Sequence, residues 1–340
     1  MKKTRFSAFL LLLFSSVCCF CVVACRNNKQ VDSDLFAKTG IPAIDKASVL
    51  LQANPDTDTL WALRGVAFYK EEMYDKAMRD FQKAISLDSS KIEYYHALAD
   101  AQLDFKQSRE ALKTLEIALQ KKPNRIPTML KLSEFQLITK QFAQAQGTCN
   151  KILAVDDNNA EANFMLGRVA KEMTDTTRAV EYFQTAVEQD PEHYDSYMQL
   201  GLLWSAKNSD IALRYFDNAL RLDSLSTEAM YGKAMFFQNM KTPNFEAAKK
   251  LYRKIIAIDP QNVDAVFNMG IINALQQKPG DAEKNFTMSC KIDPQCAKCF
   301  YYKGVMEAAR NDKAAANTSY QNALSIDPDF EEAKAALGKK

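Results

Sequence analysis

Histidine, glycine, proline and net charge are all in short supply in this 340-residue chain, and each shortage removes a class of explanation. The two histidines, His96 and His193, have no acid or nucleophile at a usable spacing, so a base-driven catalytic constellation has nothing to start from. No phosphate-binding glycine loop and no metal-ligand helix motif occurs, and the chain reads as a non-enzyme without a cofactor. Only 10 glycines and 10 prolines are spread over the whole length, and several prolines follow runs ending in Leu-Asp or Ile-Asp, as at Asp259-Pro260, Asp293-Pro294 and Asp327-Pro328. That is helix punctuation and predicts an all-α protein. Lysine and arginine total 44 against 42 aspartates and glutamates, with the signs interspersed. Such a surface offers no long-range attraction to a phosphate backbone, which argues against nucleic acid as a partner.

Apolar residues are plentiful by contrast: 47% of the chain is hydrophobic and 25% charged, the balance of a protein able to build a packed core. Part of that apolar content is concentrated at the start. Lys2, Lys3 and Arg5 precede an uncharged run from Phe6 to Ala24, the layout of a secretory signal, and the run ends Val22-Val23-Ala24-Cys25. This ending resembles the lipobox of bacterial lipoproteins, in which the cysteine is acylated and becomes the new N-terminus. The resemblance implies a signal peptide over 1–24, lipidation of Cys25 and lasting membrane attachment, since each buried methylene contributes about 0.8 kcal/mol and several acyl chains share one residue. An uncleaved anchor helix is the alternative reading of the same run. Residues 25–40 read as a polar tether, which spans roughly 50 Å when extended at about 3.3–3.6 Å per residue. Arg26, Asn27 and Asn28 follow Cys25 with no acidic residue among them, so the outer membrane, with the body facing the periplasm, is the preferred location.

From residue 41 onward one spacing recurs. Blocks begin near Asp58, Ile92, Ile126, Ala160, Tyr194, Thr227, Val263 and Ala297, at intervals of 34, 34, 34, 34, 33, 36 and 34. Each block has a small residue at Gly65, Ala99, Ser133, Gly167, Gly201, Ala234, Gly270 or Gly304. It has a second at Ala77, Ala111, Ala145, Ala179, Ala212, Ala248, Ala282 or Ala316, and a larger one four residues on, at Phe81, Leu115, Cys149, Phe183, Phe216, Tyr252, Phe286 or Tyr320. Two antiparallel helices approach closely only where side chains are small, and the larger residues fill the space between neighbouring pairs. Pro123, Pro191, Pro260, Pro294 and Pro328 then close second helices. This set resembles the tetratricopeptide repeat family over residues 41–340. The resemblance implies an all-α, right-handed superhelical solenoid of about eight helix-turn-helix repeats, near 58–91, 92–125, 126–159, 160–193, 194–226, 227–262, 263–296 and 297–330. Terminal caps are expected from 41–55 and 331–340, because each repeat buries its apolar face only against a neighbour.

The resemblance also implies a protein-binding scaffold whose inner groove is lined by positions two, five, nine and twelve of each first helix. Carried onto this chain, those positions give Tyr69, His96, Leu103, Leu130, Leu137, Phe164, Met198, Leu202, Tyr231, Met235, Phe267, Ile271, Tyr301 and Val305. Arg168 and Lys171, beside Glu161 and Phe164, add a charged cluster. The Lys and Asn with which some members of the family clamp a C-terminal carboxylate are missing, since Ala62 and Val66, His96 and Asp100, and Leu130 and Glu134 hold those positions. The expected partner is therefore an envelope protein or peptide with apolar anchors, helical or extended. The plainer alternative is that some of these side chains pack against adjacent helices.

Cys290, Cys296 and Cys299 stand apart, because Cys296-Ala-Lys-Cys299 has the spacing of redox and zinc motifs. Zinc would need a fourth ligand that no nearby histidine supplies. In an oxidising envelope a disulfide from Cys290 across the turn to Cys296 or Cys299 is the preferred reading, with free buried thiols or thiol-disulfide chemistry at Cys296 and Cys299 as the alternatives. Recognition of envelope polysaccharide by Tyr231, Phe267 and Tyr301 is a further functional reading.

Overall fold

The computed structural model describes residues 36–338, so the candidate signal segment, Cys25 and the tether up to residue 35 lie outside the described residues. Among the described residues 18 helices follow one another and no strand occurs. Helix α1 (Pro42–Ala53) stands first. Eight helix pairs follow it: α2 (Asp58–Lys70) with α3 (Tyr74–Leu87), α4 (Ile92–Asp104) with α5 (Ser108–Lys121), α6 (Ile126–Ile138) with α7 (Phe142–Leu153), α8 (Ala160–Glu172) with α9 (Thr176–Gln189), α10 (Tyr194–Ala206) with α11 (Ile211–Leu222), α12 (Thr227–Asn239) with α13 (Phe245–Ile258), α14 (Val263–Leu275) with α15 (Pro279–Ile292), and α16 (Ala297–Ala309) with α17 (Lys313–Ile326). The short α18 (Glu331–Ala336) comes last. The chain divides between Asp157 and Asn158 into two compact units, the first holding α1 to α7 and the second α8 to α18. None of these helices is long and apolar enough to cross a membrane.

Size matching sets the pairing. A Cβ built on Gly65 would lie 2.7 Å from Cε1 of Phe81, and one built on Gly167 only 2.5 Å from Cε1 of Phe183. The eight second-helix alanines are at most 1% exposed, and Phe81, Phe183, Phe216 and Phe286 are equally buried. Each such ring withdrawn from water contributes about 1.5–3 kcal/mol. The two helices of a pair differ in how much of their circumference is covered. Second helices bury one stripe, as α9 does through Ala179, Val180, Phe183 and Ala186. First helices bury more than one face: α2 touches both its partner α3 and the next first helix α4.

The turn inside a pair is built without glycine. Glu72, Lys106, Lys140, Thr174, Asn208, Gln277 and Asn311 all adopt a left-handed conformation, with φ between 52° and 66°. The following residue then donates back into the helix end, Met73 N to Phe68 O at 2.9 Å and Gln107 N to Gln102 O at 2.7 Å, a Schellman closure that satisfies the last carbonyls. The pair α12–α13 departs from this. Its longer connection over Lys241-Thr242-Pro243-Asn244 leaves the helix at Met240 in an extended conformation, and added loop length is cheap.

Within residues 36–40, expected as the end of the tether, Phe36 and Thr39 make contacts while Ala37, Lys38 and Gly40 are exposed. The Phe36 ring lies 6.3 Å from that of Trp61, and the Arg64 guanidinium sits over it at 5.3 Å. Thr39 donates from N and Oγ1 to Asp45 Oδ1 at 2.7 and 2.9 Å. The physical reason is that Phe36 covers a charged group and an indole that would otherwise meet water at the open end of the first pair.

Candidate binding surface

In the N-terminal unit the expected groove residues are engaged with their neighbours. The Tyr69 hydroxyl donates to Asp104, and its ring stands 5.6 Å from Tyr74. The hydrogen bond to Asp104 and burial push the Tyr69 phenol upward. His96 Nε2 is 2.9 Å from Thr128 Oγ1 on α6, and burial, followed by the positive charge of Lys131 and Arg125, holds its imidazole down to about 4. Leu130 is half-buried beside them. Lys131 reaches back from α6 to Asp100 on α4 at 2.5 Å. The first helices of this unit thus present hydrogen-bonded and charged groups beside exposed apolar ones such as Leu63, Val66 and Ile138.

In the second unit three of the expected groove residues are core residues. Phe164 is 8% exposed, with its ring 5.6 Å from Phe183 and 4.9 Å from His193. Met198 is 2% exposed within the same cluster. Phe267 is 9% exposed, 5.3 Å from Phe286 and 5.4 Å from Tyr302. Their side chains turn toward the aromatic ring of the second helix because a bulky apolar group gains more there than at a wet surface. Leu137, in the first unit, is also buried. Arg168 lies over the Phe164 ring at 5.9 Å, and Lys171 is exposed with Nζ 2.8 Å from Gln199 Oε1.

A surface row remains on three successive first helices, α12, α14 and α16. Tyr231, Met235, Ile271, Tyr301 and Val305 are all half-buried there. The Tyr231 hydroxyl accepts from Asn268 Nδ2 at 3.0 Å, which fixes the ring on the neighbouring helix. Tyr301 packs 5.8 Å from Tyr320 and 5.2 Å from Phe330. The Tyr231 hydroxyl and the Tyr301 ring are thus held by neighbouring side chains.

The cysteines do not pair as expected. Cys296 is bonded to Cys299, and Cys290 is a free buried thiol. All three cysteines line the core that holds Phe267 and Phe286, but Cys290 sits on α15, whereas Cys296 at the N-cap of α16 and Cys299 in its first turn lie within bonding reach of each other. Burial pushes the thiols of Cys290 and Cys149 up to about 11. Among the described residues no group of histidines, cysteines and acids is placed to hold a metal.

Two sets of contacts escaped the sequence reading. One is a polar rung inside the pairs, twelve residues apart: Thr114 to Gln102 at 2.7 Å, Thr148 to Gln136 at 2.8 Å, Asn273 to Asn285 at 2.9 Å and Ser319 to Glu307 at 2.6 Å. The other ties consecutive pairs through an acid near the start of a first helix: Asp58 with Lys91 and Tyr94, Glu93 with Arg125, Glu161 with His193, and Asp264 with Lys298. The spacing of twelve was present in the sequence, but the residue types change from block to block, and the contacts between pairs span 32 to 36 residues.

Known proteins share this organisation. Human DnaJ homolog subfamily C member 7 is 23% identical over 231 residues, covering 63% of this chain and 42% of the relative. The chain spans 42% or less of the length of the curated relatives it matches. The crystal structure of the C-terminal part of a repeat-containing protein from Cytophaga hutchinsonii superposes with a TM-score of 0.58 at 18% identity, over 73% of this chain and 99% of that one. A tetratricopeptide repeat protein from Parabacteroides merdae gives 0.52 at 18% identity, over 73% and 97%. Those likenesses establish the fold. Residues 59–91 and 160–193 each match a family model described as the tetratricopeptide repeat, so the chain carries repeats of that kind within an all-α array of helix pairs.

Proposed function

We propose that this protein is a non-catalytic interaction scaffold, held in a bacterial envelope by a lipid on Cys25 and extending from the outer membrane into the periplasm. Tetratricopeptide-repeat proteins generally act as protein-interaction scaffolds. The observation that carries the reading here is the row Tyr231, Met235, Ile271, Tyr301 and Val305, half-buried on three successive first helices. Partly exposed apolar and aromatic side chains repeated along rigid helices suit the anchors of an apolar peptide or helix. The anchoring half rests on Lys2, Lys3 and Arg5, the run that follows them, and Val22-Val23-Ala24-Cys25.

Two measurements test the two halves separately. A photoreactive residue at Tyr231 or Tyr301 is expected to capture one recurrent envelope protein in cells, and Met235→Glu with Ile271→Glu should abolish the capture. Binding of polysaccharide without any protein crosslink would overturn the scaffold reading. Mass spectrometry of the mature N-terminus is expected to find acylated Cys25 and no residues 1–24, with Cys25→Ser released from the membrane fraction. An unmodified N-terminus on a chain retained at the membrane would sink the lipid anchor.

A further inference from the structure

We propose that the Cys296–Cys299 disulfide is an exchangeable thiol-disulfide site, in which Cys296 is the sulfur that meets an external thiolate. The proposal stands apart from the scaffold reading. Cys296 occupies the N-cap of α16 and Cys299 lies three residues further, in its first turn. In neighbouring pairs of the same unit the cap is His193, Ser226 or Asn262, each accepting the N–H three residues on, from Ser196, Ala229 or Ala265. Cys296 Sγ takes the same bond from Cys299 N at 3.2 Å. Capping at this position is thus achieved elsewhere without any covalent link, so the fold supplies no requirement for a disulfide here. A bridge between residues three apart also closes the smallest of loops and constrains the unfolded chain least.

The geometry favours chemistry instead. A sulfur at an N-cap receives a backbone N–H and the positive end of the helix, and both favour the thiolate form once the bond opens. In the chain the nearest charged residues are Asp293 in the preceding turn, Lys291 at the end of α15, and Lys298 in the first turn of α16, whose Nζ is 3.3 Å from Asp264 of α14. The two sulfurs differ in access. Both are buried, Cys296 at 7% and Cys299 at 0% exposed, so an attacking sulfur meets Cys296 first when the cap opens. Cys290 and Cys149 hold no disulfide to exchange, and burial pushes their thiols up.

An external thiolate attacks Cys296 Sγ, the bond to Cys299 breaks, and Cys299 leaves with the electron pair and takes a proton from water. A second external thiolate attacks the outer sulfur of the mixed disulfide, releasing Cys296 as a thiolate and an oxidised external disulfide. The protein pair gains two electrons and two external thiols are oxidised.

The test is to equilibrate the full-length chain in glutathione buffers of graded ratio, alkylate it, and read each cysteine by peptide mass spectrometry beside the helical circular dichroism signal. Cys296 and Cys299 are expected to open together with that signal retained, while the fully buried Cys149 stays unlabelled. Cys299→Ala should trap glutathione on Cys296 roughly tenfold or more faster than Cys296→Ala traps it on Cys299. Opening only with loss of the helical signal, or equal trapping by the two variants, would overturn the proposal and leave the bond a structural staple.

Discussion

In α2–α3 the crossing is Gly65 against Phe81, and in α4–α5 it is Ala99 against Leu115. What the first helix gives up in volume the second takes up, sixteen residues later in both. The polar contact inside the pair differs in kind. In α2–α3 it is a buried ion pair, with Arg64 Nε 2.6 Å and Nη2 2.8 Å from Asp80, and the guanidinium over the rings of Trp61 and Phe68 at 5.0 and 5.5 Å. In α4–α5 it is neutral, Thr114 Oγ1 donating to Gln102 Oε1 at 2.7 Å. The period therefore fixes where two helices meet and leaves the chemistry free, provided volume and polarity are matched across the meeting point. Breaking one half of a match should cost according to what is left stranded.

The largest cost falls on the ion pair. Asp80→Ala leaves a fully buried guanidinium without its carboxylate and is expected to lower the unfolding free energy in urea by about 3–5 kcal/mol. Replacing both partners, Arg64→Met with Asp80→Leu, should recover most of that loss, and a double variant as weak as the single would show that the pair itself is indispensable. The neutral rung gives the milder counterpart. Thr114→Ala strands one buried amide oxygen of Gln102 and should cost about 1–3 kcal/mol by the same measurement. Volume matching is tested by Gly65→Ala, whose Cβ would meet Phe81 at 2.7 Å. Overpacking of about 1–3 kcal/mol outweighs the gain of up to about 1 kcal/mol in helix propensity, leaving a net loss seen as a lower melting temperature. Gly65→Ala with Phe81→Leu copies the α4–α5 combination and should melt closer to the parent.

These pairs also show what could be read in advance. The all-α array was legible because small and bulky residues recur at fixed places, and Gly65 with Phe81 needs no partner outside its own block to announce a close approach. The rung between Gln102 and Thr114 was not, because its residue types change while only the spacing of twelve persists. The turns were hidden by the very scarcity of glycine: Lys106 and Thr174 hold left-handed conformations where a glycine would have marked the end of the helix. Groove and core were confused at Phe164, Met198 and Phe267, since position five of a first helix faces the second helix as readily as solvent. Tyr231 and Tyr301 stay at the edge, where a hydroxyl has water or a polar neighbour to meet. The disulfide partner was misjudged because all three cysteines share one core, and spacing alone does not say which two sulfurs meet.

The smallest effect separates the same two first helices through pH. At position five α2 carries Ala62, which does not titrate, and α4 carries His96. Burial, then Lys131 and Arg125, hold the folded His96 at about 4, against 6.5 for the free side chain. As the pH falls below 6.5 the unfolded chain takes up a proton that the folded chain declines, so stability declines until the folded imidazole also protonates near 4. The group is only partly shielded from solvent, which keeps the slope shallow. Urea midpoints taken at about pH 7 and about pH 5 should therefore fall further apart for the parent than for His96→Ala, which gives α4 the residue of α2. Equal separations would mean that His96 titrates at its ordinary value and that its bond to Thr128 survives protonation.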